Sequence, residues 1–165
     1  MNAIFTRTSV RSYEERLVET EKIEKILKAA MAAPSAMNQQ PWEFYVVTNK
    51  DVLQKLSESS PYSKMTAKAP AAIVVCGRKD GLTVPELVKV DLSLATENIL
   101  LELEEQGLGG VVLGIAPFTE RMEKVAEAIS LPQNLSVFTI IPFGYPLQKK
   151  PQQNRYDKTR VHYVK

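Results

Sequence analysis

Apolar positions fall into two alternating rhythms along this chain. Ile23, Ile26, Leu27, Ala30 and Met31 recur at helical spacing behind Thr20, a residue suited to cap a helix start. Trp42, Phe44 and Val46 then alternate with Glu43, Tyr45 and Val47, which predicts a strand buried on one face and partly on the other. Residues 51–58 predict a short helix with Leu53 and Leu56 inward, and residues 59–70 are polar and expected to be mobile. Residues 71–76 are continuously apolar, as in a strand covered on both faces, with Cys76 read as a small core residue. A long helix follows over residues 85–106, capped by Thr83, with Pro85 in its first turn and Gly107 as its stop. At 1.5 Å per residue it is roughly 33 Å long. Gly109 and Gly110 predict a turn, residues 111–113 start a strand, and Thr119 caps a helix with Met122, Val125, Ala126 and Ile129 on one face. Residues 135–141 form a last apolar strand.

The apolar positions of the long helix, Leu87 to Leu103, cover more than one stripe. A helix apolar over much of its circumference is buried on several sides. A second subunit or the centre of a monomeric core would each supply that cover, and Asp91, Thr96, Glu97 and Asn98 would need partners within it. Residues 147–165 lack any period and are polar, yet carry Tyr156, Val161, His162 and Tyr163; a disordered tail and an arm laid over a partner are both open.

Composition narrows the class. A chain of 165 residues, 44% hydrophobic and 24% charged, suits one soluble domain spanning residues 1–165. A formal charge of +2 gives no ground for nucleic acid or an anionic membrane. The single cysteine, together with no membrane-length apolar run and no signal-peptide core, points to a cytoplasmic protein. One histidine and one cysteine cannot build a structural zinc site, and a Ser-His-Asp triad would have to rest on His162 in the tail. The glycines at 107, 109 and 110 follow a helix and precede a strand, the reverse of a phosphate loop. An enzyme with so few acid–base groups would borrow its reactive atoms from a cofactor.

Two stretches carry candidate chemistry. Arg7 and Arg11 lie four apart with Ser9 between them; on a helical turn both guanidinium groups would share one side, suited to phosphate oxygens. Residues 33–44 join a helix to a strand and carry Ser35, Asn38, Gln39 and Gln40 but no acid or base before Glu43. Pro34 and Pro41 stiffen that loop and bias the residue before each toward extended backbone. Amides and hydroxyls on a stiff loop suit a neutral, planar, hydrogen-bonding ligand. Gly114 would let a ring approach the backbone closely.

Taken together, Arg7-Thr8-Ser9-Val10-Arg11, Ala33-Pro34-Ser35-Ala36-Met37-Asn38-Gln39-Gln40-Pro41-Trp42 and Leu113-Gly114-Ile115-Ala116-Pro117 resemble the short members of the FMN-dependent nitroreductase family. The ending Pro142-Phe143-Gly144-Tyr145-Pro146, followed by Arg155-Tyr156-Asp157 and Arg160-Val161-His162, extends the resemblance over nearly the whole chain. It implies an α+β fold with a mostly antiparallel central sheet flanked by helices, in an intertwined homodimer with residues 147–165 as a C-terminal arm. It also implies FMN at the subunit interface, with NADH or NADPH as electron donor and a nitroaromatic, quinone or similar small molecule as acceptor, in a ping-pong mechanism. By the same resemblance Arg7, Ser9 and Arg155 serve the phosphate, and Arg11 the ribityl chain and the N1/O2 edge of the flavin. Pro34, Ser35 and Asn38 surround the ring from across the interface, and the backbone of Leu113, Gly114 and Ile115 flanks flavin N5. The chain departs from the family pattern at Val112 and Ala116, where short members often carry Trp and Tyr, and at Gln39, where Leu is common. Loss of both rings would widen the site, and leaves a flavin-storing or flavin-sensing protein as an alternative.

Overall fold

The computed structural model describes residues 3–148, 151 and 154–165. In chain order it holds α1 (Ala3–Thr6), α2 (Thr20–Met31), β1 (Trp42–Val47), α3 (Lys50–Ser57), β2 (Ala71–Arg78), α4 (Val88–Glu105), β3 (Gly109–Gly110), β4 (Leu113–Gly114), α5 (Thr119–Ala128) and β5 (Leu135–Gly144). The strands form one sheet in the order β1-β2-β5-β3, with β4 also paired to β5, and every ladder is antiparallel. The fold is therefore α+β, an antiparallel sheet between helices.

The continuous apolar run of β2 follows from cover on both faces. Ala71, Ile73 and Val75 pack with Ile26 and Ala30 of α2 and with Leu92, Ala95, Ile99 and Leu103 of α4. Ala72, Val74 and Cys76 face the other way, onto Leu53 and Leu56 of α3 and Val125 of α5. Cys76 is fully buried, and burial pushes its thiol pKa up to about 12. β1 lies at the sheet edge, so its alternation is only half realised: Trp42 is buried and Phe44 half-buried, but Val46 is exposed.

Several local expectations shift for identifiable reasons. Helix starts fall one residue from the expected threonines: Glu19 precedes α2 and Phe118 precedes α5, so Thr20 and Thr119 are first helical residues. Thr83 caps nothing; Pro85–Leu87 form a 3-10 turn that leads into α4 at Val88. Met31, at the end of α2, is exposed rather than inward. Residues 59–70 are not loose: Ser59, Ser60, Ser63 and Thr66 are buried, and Lys64–Lys68 form a 3-10 turn. The hydroxyls bond locally, Ser59 Oγ to Leu56 O at 2.7 Å and Ser60 Oγ with Ser63 Oγ at 2.6 Å. Gly107 ends the α4 region at φ +73° as expected. Gly109 and Gly110, expected as a turn, are instead strand β3, because the N-terminal segment crosses there: a Cβ on Gly109 would fall inside the Val10 side chain.

Of the polar groups on α4, Asp91 and Asn98 are partnered, Asn98 Nδ2 donating to Ala29 O at 2.9 Å. Glu97 is exposed, and Thr96 Oγ1 is buried without a hydrogen-bond partner among the described residues. Residues 154–165 are exposed, with a 3-10 turn at Lys158–Arg160; positions 149, 150, 152 and 153 of the expected arm lie outside the described residues. Among the described residues no helix is long and apolar enough to cross a membrane.

Candidate functional site

The arginine segment is extended, not helical. α1 stops at Thr6, and Ser9 makes a parallel bridge to Gly110, with Val10 N donating to Gly110 O at 3.0 Å. Arg7, Ser9 and Arg11 still share a side, through the two-residue alternation of extended chain, while Val10 is buried. Tyr13 anchors the segment, its hydroxyl donating toward Val10 O (2.8 Å) and Pro142 O (2.9 Å). Arg7 Nε lies 3.6 Å from Glu97 Oε1 on α4, a long ion pair with a half-exposed carboxylate that costs little to exchange for another anion.

Arg11 opens onto a cavity of ≈ 500 Å³ beside β4, also lined by Val112, Leu113 and Gly114. Lys64, Phe118 and Arg121 complete its polar and aromatic wall, with Tyr62 at its mouth. Among the described residues three cations and no carboxylate line this space. A Cβ built on Gly114 would meet no atom within 4 Å, so the backbone there is bare to the cavity. Leu113 and Ile115, either side of it, are buried in the core and hold the strand in place. The Gly114 carbonyl accepts from Arg121 Nη1 at 2.9 Å, and the Arg121 guanidinium stacks 4.1 Å from the centre of the Phe118 ring.

Sequence reasoning missed Lys64, Tyr62, Phe118 and Arg121. Pro61-Tyr62 and Lys64-Met65 lay in a stretch read as mobile, and no periodicity marks Phe118 or Arg121. It also paired Val112 with Ala116 as two missing rings of one site. Only Val112 lines this cavity; Ala116 lines a separate one of ≈ 600 Å³ with Pro117, Leu92 and Phe138.

The polar loop belongs to neither cavity lining. It is tied to the first turn of α4, where the buried Asp91 accepts from Ala36 N at 2.9 Å (Oδ1) and from Gln39 Nε2 at 2.7 Å (Oδ2). Gln39 is fixed at its other end by Val84, whose N donates to Oε1 at 3.0 Å and whose O accepts from Nε2 at 3.1 Å. Arg78 Nη2 donates to Gln39 O (2.7 Å) and Gln40 O (3.2 Å). Between these clamps Met37, Asn38 and Gln40 take positive φ, of 49°, 52° and 44°. Gln40 therefore departs from the extended backbone that Pro41 favours, at a strain of order 1–3 kcal/mol per residue.

The internal bonds also set the loop's polarity. Ser35 Oγ accepts from Gln40 N (3.0 Å) and Asn38 Oδ1 accepts from Gln40 Nε2 (2.9 Å). The Ser35 hydroxyl proton and the Asn38 NH₂ are thus left to donate outward, from exposed or half-exposed side chains. Pro34 is exposed beside them.

One chain therefore brings together Arg11, Leu113 and Gly114 at one cavity, whose lining includes neither Arg7, which reaches Glu97, nor Ser9, which is bridged to Gly110. Pro34, Ser35 and Asn38 sit at the start of α4, while Arg7 reaches α4 six residues on, about 9 Å along the axis. Arg155 is exposed in the C-terminal segment. Among the described residues no group of three His, Cys, Asp or Glu could hold a metal ion.

Comparison with known proteins places this arrangement. The profile described as the nitroreductase family matches residues 4–72 and 60–145. A protein of Archaeoglobus fulgidus, named as a candidate NADH dehydrogenase/NAD(P)H nitroreductase, is 43% identical over 98% of this chain and 95% of its own length. A crystal structure from Clostridium acetobutylicum, titled as a candidate NADH oxidase, is 41% identical and superposes at a TM-score of 0.95, covering 99% of both chains. An FMN-dependent nitroreductase from Clostridium difficile is 31% identical at a TM-score of 0.92, over 99% of this chain and 98% of its own. With the profile, the sequence identity and the antiparallel sheet in agreement, this chain belongs to the nitroreductase family.

Proposed function

We propose that this chain is a cytoplasmic, single-domain FMN oxidoreductase that works as a homodimer. It takes hydride from NADH or NADPH and passes two electrons to a nitroaromatic, quinone or similar acceptor in a ping-pong sequence. The observation that carries this reading is the cavity at Gly114: cationic, free of carboxylates, and bare at the backbone where a flat ring could lie. Those features fit FMN, which pairs an anionic phosphate with a ring that becomes electron-rich on accepting electrons. The relatives named for NAD(P)H and FMN support the same assignment.

Arg7, Ser9 and Arg155 would hold the phosphate, guanidinium forks matching its oxygens. Arg11 and Lys64 would set positive charge near the ring, lowering the cost of added electrons. Gly114 and its neighbours Leu113 and Ile115 would present backbone against one edge of the ring. Bound FMN supplies the two-electron chemistry itself. Among the described residues the cavity lining holds no carboxyl or imidazole, so within this chain no lining side chain is suited to shuttle a proton there and solvent would supply it.

The polar loop would complete the site from a second copy. Its outward donors, Ser35 Oγ–H and Asn38 Nδ2, suit the carbonyl oxygens of the flavin ring, and within one chain they line no part of the Gly114 cavity. The exposed apolar residues Val90 and Leu94 on α4 and Leu87 just before it, with Ile4 and Phe5 on the neighbouring α1, supply a surface for that copy to cover. The C-terminal arm would extend the same contact. The storage or sensing alternative loses ground because Phe118 and Tyr62 bring two rings to the cavity wall despite Val112. The test is spectroscopic: purified protein incubated with FMN should retain a flavin spectrum, bleach with NADPH under anaerobic conditions, and regain colour on adding an acceptor. A protein that stays colourless after FMN sinks the proposal, and one that is coloured but inert to both nucleotides leaves the storage reading.

A further inference from the structure

The Gly114 cavity holds one cation more than the flavin roles above employ. Arg121, from α5, fixes one end of its guanidinium on Gly114 O at 2.9 Å, with its Cζ 4.1 Å from the Phe118 ring centre and 5.8 Å from that of Tyr62. A guanidinium held this way has its orientation set in advance, and the other edge of its fork remains available to donate. No salt bridge to Arg121 exists among the described residues. The adjacent Glu120 is taken by Lys124, whose Nζ lies 2.7 Å from Glu120 Oε1. The two rings beside Arg121 are themselves open, Phe118 at 51% and Tyr62 at 70% exposure.

An oriented cation that no carboxylate among the described residues bridges, Glu120 feeling it only at longer range, flanked by exposed aromatic faces at the bare backbone, is matched by a flat ring carrying a carboxylate. We propose that Arg121 selects an anionic aromatic electron acceptor, its fork holding the carboxylate while Phe118 and Tyr62 cover the ring. This rests on the flavin reading above and adds the class of acceptor to it. With a nitrobenzoate as acceptor the balance is nitro group plus NAD(P)H plus one proton to nitroso group, NAD(P)⁺ and water. The electron pair and one proton arrive as hydride from the nucleotide, the second proton comes from solvent, and the N–O bond that breaks leaves its oxygen in water. The carboxylate takes no part in the electron transfer and serves only as the handle.

The test uses the FMN-loaded protein and two non-reducible probes of equal shape, benzoate and benzamide, whose affinities are read by calorimetry. Benzoate is expected to bind at least about tenfold tighter at low salt, a margin that shrinks as salt rises. Arg121→Met should remove the preference and Arg121→Lys keep part of it. In turnover, the ratio of kcat/KM for 4-nitrobenzoate over 4-nitrobenzamide should fall by a similar factor in Arg121→Met. Equal affinities in the wild-type protein would overturn the proposal without any variant. So would a preference that survives Arg121→Met. A loss of NADPH-over-NADH selectivity in that variant, with benzoate preference unchanged, would also overturn it by assigning the anion to the donor's phosphate. A protein that takes up no FMN overturns this and the flavin reading together, whereas one that turns over both nitro compounds without discriminating overturns this alone.

Discussion

Asp91→Asn is the sharpest probe of how the polar loop is held, because every bond of the clamp has a direction. The wild-type carboxylate accepts twice, from Ala36 N and from Gln39 Nε2, in a residue only 2% exposed. Asparagine can accept from Ala36 N only by turning its NH₂ toward Gln39 Nε2, and flipping it sets donor against donor at Ala36 instead. Turning the Gln39 amide over pairs its Oε1 with the Asn NH₂ but only moves the clash, since Nε2 would then face the Val84 N–H that Oε1 now accepts. Each arrangement leaves one buried donor unpaired, at about 1–3 kcal/mol. Loss of negative charge in the first turn of α4 adds about 0.3–1 kcal/mol, offset by the smaller cost of burying a neutral amide. A net loss of ~2 kcal/mol corresponds to a fall of about 4–8 °C in Tm for a domain of this size. Thermal unfolding at fixed protein concentration reads it, with concentration held because oligomerisation shifts Tm. The double variant Asp91→Asn/Gln39→Glu restores a donor–acceptor pair between the two side chains and should recover part of the loss, leaving Val84 O unmatched. A Tm within a degree of wild type, or a double variant no better than the sum of its parts, would refute the directional argument.

Three further outcomes follow from the same geometry. Arg7→Ala should weaken FMN binding by about 1.5–3 kcal/mol through loss of a charged hydrogen bond, read by fluorescence titration; unchanged affinity removes Arg7 from the phosphate role. Gly114→Ala has open space for its methyl and no positive φ to forbid it, so the fold should be as stable or gain up to about 1 kcal/mol, while FMN affinity falls as the methyl enters the cavity; a variant that binds FMN normally would show that no ring lies there. Cys76 should resist thiol reagents at pH 8 in the folded protein and react fully in denaturant. Its raised folded pKa, up to about 12, means the stability it contributes is complete below the unfolded thiol's pKa and is lost as pH rises through the interval up to that folded value. Rapid labelling of native protein would contradict this.

Much of the scaffold was legible because burial leaves a periodic trace. Ala71, Ile73 and Val75 meet α4 while Ala72, Val74 and Cys76 meet α3 and α5, so the strand had to read as unbroken apolar sequence. What stayed hidden depends on neighbours distant in the chain. Gly109-Gly110 carries the composition of a turn, and only the arrival of Val10 explains why it is a strand without side chains. The serines of residues 59–70 look solvated because their partners are each other, and their packing sets Tyr62 and Lys64 beside Gly114. Arg7 and Arg11 share a side in a helix or a strand alike, so their grouping was readable, while only the extended backbone, which was not, adds Ser9 to that side. The positive φ angles of Met37 and Gln40 have no signature in residues that normally avoid them, though Asn38 is of a type that tolerates them; the clamp from Asp91, Val84 and Arg78 comes from positions at least 38 residues away.

The central claim, that two copies each give half of one site, is tested most directly by mixing two defective proteins. One carries Ser35→Ala/Asn38→Ala with its arginines intact; the other carries Arg7→Ala/Arg11→Ala with its loop intact. Unfolding and refolding them together gives heterodimers in which one site pairs good arginines with a good loop. FMN binding per chain should recover to about a quarter of the wild-type value in an equal mixture, one sound site in half of the dimers. If mixing restores nothing beyond the two parents, the arginines and the loop do not meet across a subunit boundary.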